Sequence, residues 1–405
     1  MRILFVVSNL SYPPLEGLHQ HSLLLVKSLA QSGDDVEIMG FVKDIESVDL
    51  THLADYLAID HVGPFVEYRG PSLGLALRNM LPLWMIQGQG RRIRSHIKAA
   101  RADVIHLDGV AAASLFRSDV TAATVLSFVD PGSQRQLRFA RASGARPKAL
   151  PHLLASLLYF AVERRLNFPQ LTWHVVSESD REYLQRVHHH AHVAAIPLMV
   201  PRDLSAGEEN SARSAHDARI LVLIWGDLRR SDMRQALLDL FATSMPKSIL
   251  APTCTFLVLG RVQADAELSE VSQAYDCEFI QWTDDYVDLI SSCDIVILPD
   301  IVGTGIKTRA IQSLALGKPI IGTAVAFEGI DVPSSDVARV AKSSLEIALH
   351  LDELCASFKL RKQIGANARA FAESRYSQAI IVHRWQEVYE DAVNLYRSNL
   401  HMPAD

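Results

Sequence analysis

Short β-rich runs alternate with helical patterns along almost the whole chain, and they do so twice. Ile3–Val7 reads as a buried strand, and His19–Ser32 follows as a helix with Leu23, Leu24, Val26, Leu29 and Ala30 on its inner side. Further strands are expected at Val36–Gly40, Val104–His106, Thr124–Phe128 and Thr172–Val176. Apolar runs of this length, separated by helices, predict a parallel sheet covered on both faces. A polar, aperiodic segment at 201–218 reads as a linker. The alternation then restarts, with strands expected at Ile220–Ile224, Thr255–Leu259, Glu278–Gln281, Ile295–Leu298 and Ile320–Gly322. A last helix over Ser377–Arg397 sets Ile381, Trp385, Val388 and Tyr389 on one face, with Ser377 as its N-cap.

Two such patterns predict two doubly wound α/β domains facing a shared cleft, with ligands at the carboxyl ends of the strands. The expected bounds are 1–200, the linker 201–218, 219–374, and a C-terminal segment 375–405 that crosses back to the first domain. A length of 405 residues fits this division, because a single core stops growing near ~250–300 residues.

Composition excludes several functions. The net charge of -6 argues against a general nucleic-acid binder, which needs excess cations to displace counterions. The four cysteines, Cys254, Cys277, Cys293 and Cys355, form no Cys-x-x-Cys pair and suit a reducing compartment. The apolar run Ile3–Val7 is too short for a signal-peptide core, and the longest apolar stretch, Leu150–Val162, falls short of a membrane span. A cytoplasmic location is therefore expected. Between Arg78 and Lys148, however, stand twelve basic and four acidic residues, many beside apolar clusters such as Met80-Leu-Pro-Leu-Trp-Met-Ile. That combination suits peripheral contact with an anionic membrane at the inner face of the cell or a lipid-phosphate substrate, or else a solvated helix face. No Gly-x-Gly-x-x-Gly follows the first strand, and there is no Gly-Lys-Ser/Thr loop or Gly-x-Ser-x-Gly elbow. The run His188-His-His-Ala-His has no carboxylate or cysteine partner close in sequence, so a solvent-facing loop is expected and no metal site.

The most informative segment runs from Val296 to Thr323. A strand ends at Leu298, a loop carries Gly303 and Gly305, and a helix is expected to start near Ile306 and stop at Gly317. Glycines before a helix N-terminus let backbone amides approach a phosphate, and the helix dipole favours its charge. Lys307, expected in the first turn, would add a full positive charge. A plain strand–turn–helix connection is the alternative.

The strings Gly303-Thr-Gly-Ile-Lys, Gln312-Ser-Leu-Ala-Leu-Gly-Lys-Pro-Ile-Ile-Gly-Thr and Phe327-Glu-Gly-Ile resemble the donor-binding signature of family-4 retaining glycosyltransferases. Tyr12-Pro-Pro-Leu-Glu-Gly with His21, Asp103-Val-Ile-His, Val176-Ser-Glu-Ser-Asp, Gly226-Asp, Trp282-Thr-Asp-Asp and Arg369-Ala-Phe-Ala-Glu-Ser-Arg-Tyr-Ser agree in order and spacing. Asp130-Pro-Gly-Ser133 is similar to an Asp-x-x-Ser feature of members tied to exopolysaccharide loci. The resemblance implies the GT-B fold and metal-independent, retaining transfer of a hexosyl-type sugar from a UDP- or GDP-linked donor, which serves as co-substrate with no further cofactor. The acceptor would be hydroxylated, a cell-surface polysaccharide or lipid-linked glycan precursor held on the first domain.

Donor contacts implied in this way fall on Gly17, Gly226, Arg229, Arg230, Trp282, Gly303, Thr304, Gly305, Ile306, Lys307 and Gln312, with Asp130 and His21 at the reaction centre. Asp108, past a strand end, is a further acceptor contact. The family's two glutamates fall on Thr304 and Gln312, and its histidine near the reacting sugar falls on Val129. A neutral Gln312 in place of a carboxylate implies weaker hold on the ribose, since bonds to charged groups contribute ~1.5–3 kcal/mol against ~0.5–1.5 for neutral ones. These departures also support a rival reading, a non-catalytic partner or scaffold on the same fold. A sugar-nucleotide epimerase is disfavoured by the Gly-x-Gly-Ile-Lys string.

Overall fold

The computed structural model describes residues 1–10, 12, 17–42, 45, 48–67, 91–113, 115–116, 121–142, 149–205, 219–261, 266–281, 283, 286–303 and 305–400. The chain forms two compact units, Met1–Met199 with Gln378–Asp405, and Val200–Ser377.

The first unit holds a seven-stranded, all-parallel sheet: β1 (Arg2–Leu10), β2 (Asp35–Val42), β3 (His61–Glu67), β4 (Val104–Asp108), β5 (Ala123–Ser127), β6 (Leu171–Val175) and β7 (Val193–Ala195). Their spatial order is β3-β2-β1-β4-β5-β6-β7, so the order reverses between β1 and β4. The two-residue period of a strand divides β1 between two cores. Ile3, Phe5 and Val7 face a cluster completed by Ile381, Val382, Trp385 and Tyr389 of the helix Gln378–Leu400. Leu4 and Val6 face the opposite cluster with Ile105, Leu107, Leu126 and Trp173. The C-terminal helix thus starts one residue after the expected Ser377, and its predicted apolar face lies in the core of this unit.

The second unit repeats the plan: β8 (Ile220–Trp225), β9 (Cys254–Leu259), β10 (Cys277–Ile280), β11 (Ile295–Leu298), β12 (Ile320–Thr323) and β13 (Arg339–Ala341), ordered β10-β9-β8-β11-β12-β13. Its reversal point lies between β8 and β11, and all pairings are parallel. Within the expected linker, Arg202–Ser205 forms a short helix, and 206–218 lie outside the described residues.

Three strands, β3, β7 and β13, escape the sequence reading. β3 is only partly buried and contains Pro64, and β7 and β13 are three residues each, too short to show a period.

Candidate functional site

In the second unit the loops that follow β8 and β11 flank the reversal point, where doubly wound sheets open to ligands. Their close packing demands glycine. A Cβ on Gly260, at φ +158, would stand 1.8 Å from the carbonyl oxygen of Gly226, and one on Gly226 would meet the Met233 side chain at 2.6 Å. The ends of β8 and β9 therefore run in backbone contact.

Past β11 the chain makes the glycine loop. Gly305 takes φ +62, a left-handed conformation that a side chain would strain. A Cβ on Gly303 would fall within 2.9 Å of Lys307 Cε and 3.0 Å of its Nζ, so the lysine folds back over the loop. Lys307 Nζ donates to the Gly305 carbonyl at 2.8 Å. The following helix spans Thr308–Ala315, two residues later than expected, and Lys307 is its N-cap rather than a first-turn residue. The shift follows from the loop: Lys307 has extended backbone (φ -87, ψ 111), while its carbonyl accepts the amides of Ala310 and Ile311. The amides of Thr308 and Arg309 lie at the open N-terminal turn, where no helical acceptor exists. Ile306 is buried beneath the loop.

Two polar groups anchor this loop from below. Asp300, 6% exposed, pairs with Arg309, and Thr323 Oγ1 donates to the Asp300 carbonyl at 2.5 Å, joining the ends of β11 and β12. Asp300 and Arg309 were not singled out in the sequence. The adjacent Pro299-Asp300 at a strand end was the only available signal.

Gln312 is buried on the same helix, and its Nε2 donates to Tyr286 Oη at 3.3 Å. Tyr286 in turn lies 5.7 Å, ring to ring, from Trp225 at the end of β8. Gln312 is thus drawn to the β8 side of the site. Arg229 and Arg230, expected to face a diphosphate, each form an ion pair two residues away: Arg229 Nη2 to Asp227 Oδ2 at 2.7 Å, and Arg230 Nη2 to Asp232 Oδ2 at 2.6 Å. Asp227 is held below the usual carboxylate range by hydrogen bonds from Arg229, against the opposing effect of burial. Trp282 and Thr304 lie outside the described residues.

In the first unit, Gly17 opens the helix Gly17–Gln31, which carries His21 and Ser22. Ser22 Oγ donates to Asp108 Oδ2 at 2.5 Å, and Asp108 is the last residue of β4. Burial pushes the Asp108 carboxyl up to about 6. His21 Nδ1 is shut off from solvent with no hydrogen-bond partner among the described residues, and burial lowers this imidazole to about 4.

Two further histidines lie within electrostatic reach. His106 Nδ1 meets Tyr389 Oη at 2.7 Å, and His174 Nδ1 meets Ser127 Oγ at 2.8 Å. Burial pushes both down, His174 to about 3. The structure therefore brings His21, Ser22 and Asp108 to one strand-end site beside β1 and β4. Asp130, one strand further along after β5, accepts from Arg135 Nη1 at 2.8 Å.

The histidine run differs from expectation. His188 and His190 are 2% and 3% exposed, and His188 Nε2 lies 3.0 Å from Glu163 Oε2. Their carboxylate is distant in sequence, on the helix Ala149–Arg165, and Trp173 stacks on His190 at 4.3 Å. A count of nearby residues in the chain misses a partner supplied by another element.

Residues 219–350 match the family model of group 1 glycosyl transferases. That segment contains the glycine loop, Lys307, Gln312 and the strand-end glycines described above. The whole chain has the GT-B fold of a glycosyltransferase from Rickettsia africae, with 15% identity over 97% of this chain and 98% of that one, at a TM-score of 0.66. It is similar to WaaG, a glycosyltransferase involved in lipopolysaccharide biosynthesis (15% identity, 97% and 99% covered, TM-score 0.65). Anabaena HepE in complex with UDP is a third neighbour, at 14% identity over 96% and 100% of the two chains and a TM-score of 0.68. No curated relative matches the sequence.

Proposed function

We propose that the protein is a glycosyltransferase that moves a hexosyl-type sugar from a nucleoside diphosphate sugar to a hydroxylated acceptor, with retention at the anomeric carbon. The observation that carries this reading is the glycine loop Gly303–Lys307 feeding the open N-terminus of Thr308–Ala315, at the reversal point of the sheet and inside the matched segment 219–350. Loop amides, the helix terminus and the Lys307 ammonium would receive the diphosphate and stabilise its charge as it leaves. Lys307 would exchange its bond to the Gly305 carbonyl for a phosphate oxygen.

Gln312 would accept a ribose hydroxyl, and Trp225 with Tyr286 would border the nucleoside. A UDP-linked donor is favoured over a GDP-linked one by the fold shared with Anabaena HepE, whose structures hold UDP and UDP-glucose. His21 and Asp108 would contact the acceptor or the transferred sugar from the strand ends of the first unit. A cell-surface polysaccharide or lipid-linked glycan precursor is the proposed acceptor class, by likeness to WaaG and its printed role. No metal is required in this scheme, because the charge is met by amides and a lysine.

Titration of the purified protein with UDP, GDP, ADP and CDP, then with sugar conjugates of any binder, tests the reading. Selective binding of one nucleotide that is lost in Lys307→Ala supports it. The rival reading of a non-catalytic partner draws on Arg229 and Arg230, whose guanidiniums are already paired with Asp227 and Asp232. Transfer or hydrolysis of a donor sugar by the purified chain removes that rival.

A further inference from the structure

The fold brings two of the four cysteines into contact. Cys254 Sγ and Cys355 Sγ stand 3.5 Å apart, although 101 positions separate them in the sequence. Both thiols are free. Cys254 opens β9, and Cys355 lies in the last turn of the helix Ser344–Ala356. Cys254 is 1% exposed, in the same core as Leu351 and Leu354 of that helix, while Cys355 stands half-buried at the margin of this core.

The approach of the two sulfurs is enforced by their neighbours. Asp352, three residues before Cys355, accepts Ser248 Oγ at 2.5 Å and the amides of Ile249 and Leu250 at 3.0 and 2.9 Å, which ties the helix to the segment that leads into β9. Arg361 Nη1 donates to the carbonyls of Leu354 and Cys355 at 2.8 and 3.2 Å, and Arg219 Nη2 donates to the Cys254 carbonyl at 2.9 Å. Cys293, by contrast, has the ordinary bond of a buried helical thiol, to the Leu289 carbonyl at 3.1 Å. Moving the two sulfurs from contact to a covalent bond asks for a shift of about 1.5 Å, within reach of small side-chain rotations.

We infer that Cys254 and Cys355 are a modification site, a disulfide clasp closed by peroxide that fastens the helix Ser344–Ala356 to the sheet of the second unit. The half-buried Cys355 meets the oxidant first. Its sulfur attacks one peroxide oxygen, an S–O bond forms as the O–O bond breaks, and the departing hydroxide takes the thiol proton as water. The Cys254 sulfur then attacks the sulfenic sulfur, an S–S bond forms as the S–O bond breaks, and the second hydroxide leaves as water with the Cys254 proton. Two thiols are oxidised to one disulfide, and one peroxide is reduced to two waters. The hydrogen bond from Cys355 holds the Cys254 thiol below its ordinary range, against burial, which suits Cys254 to the second attack. The same bond, with burial, pushes the Cys355 thiol up, so the first step is the slower one.

The pair lies at the amino end of β9, opposite the strand ends that carry the glycine loop. The clasp therefore bears on the stability of the unit. The loop it closes takes in β9 to β13, and a cross-link over that length restricts the unfolded chain strongly.

Peroxide treatment of the full chain, followed by digestion without reductant and mass spectrometry, tests the inference. A peptide pair joined through Cys254 and Cys355 should appear, two mass units lighter than its separate halves, and dithiothreitol should remove it. The oxidised protein should melt about 5–10 °C above the reduced one. Cys355→Ser, at a half-buried position, should fold, melt as the reduced wild type does, and gain nothing from peroxide. Cys293→Ala should still form the cross-link. Peroxide that carries Cys355 to the sulfinic or sulfonic acid with no cross-link overturns the inference, as does a Cys254–Cys355 cross-link that leaves the melting temperature unchanged or lower. Preferential linkage to Cys277 or Cys293, or between two chains, overturns it as well.

Discussion

Lys307 stands at the junction of loop and helix, held over Gly303 and bonded to a carbonyl it can release. A charge-assisted bond to phosphate contributes ~1.5–3 kcal/mol, so Lys307→Ala should weaken nucleotide diphosphate affinity by about 10- to 100-fold, measured by calorimetry, with little change in melting temperature. Arg309 has the opposite character. It neutralises the buried Asp300, and Arg309→Ala would leave that carboxylate unpaired, at a cost of roughly 3–5 kcal/mol in urea unfolding. The double change Asp300→Asn with Arg309→Met should recover much of that loss, since neither charge then remains.

The buried histidines set the acid limit of the first unit. His21, His174 and His190 fall to about 4, 3 and 4 from 6.5, so the folded state binds fewer protons than the unfolded one between those values and 6.5. Their contribution is fully present above pH 6.5 and is lost as pH falls toward 4. Asp108, raised from 3.8 to about 6, opposes them: its stability is present below pH 3.8 and is lost as pH rises toward 6. Three groups outweigh one, and melting temperature should fall as pH drops from 7 to 5. Replacing His174 by Gln should flatten that slope, read by thermal scans across the same range.

At the scale of elements, the strands buried on both faces were legible because continuous Val, Ile and Leu runs have few other uses in a chain of this composition. β11 falls at Ile295–Leu298 as the sequence predicts, and the predicted face of the C-terminal helix packs as expected. What escaped was set by tertiary partners. The N-cap position of Lys307 depends on the left-handed turn at Gly305, and the burial of His188 depends on Glu163 from another helix.

Trp385, 1% exposed between His106 and His174, ties the C-terminal helix to the sheet of the first unit. Trp385→Ala should destabilise that unit by about 3–5 kcal/mol, seen as an earlier thermal transition. Gly260→Ala should act on the second unit, since its Cβ would overlap the Gly226 carbonyl and its φ disfavours a side chain. The effect should appear both as a lower melting temperature and as weaker nucleotide binding, because the displaced Gly226 lies at the end of β8, which borders the site.

At the scale of the molecule, two parallel sheets with the same reversal of strand order each place a ligand-facing strand end where the sequence can load it. The second unit carries glycines, an open helix terminus and a lysine, a set suited to phosphate. The first carries buried imidazoles and a raised carboxyl, a set suited to hydroxyl groups and proton traffic. That division of chemistry is the central claim, and the nucleotide half of it is the more directly testable. Calorimetric titration of the folded protein with UDP, GDP, ADP and CDP should show selective binding of one of them, with UDP expected, and the loss of that binding in Lys307→Ala. Absence of binding by all four, in protein shown to be folded by circular dichroism and a cooperative thermal transition, would contradict the donor site and leave the fold without the proposed chemistry.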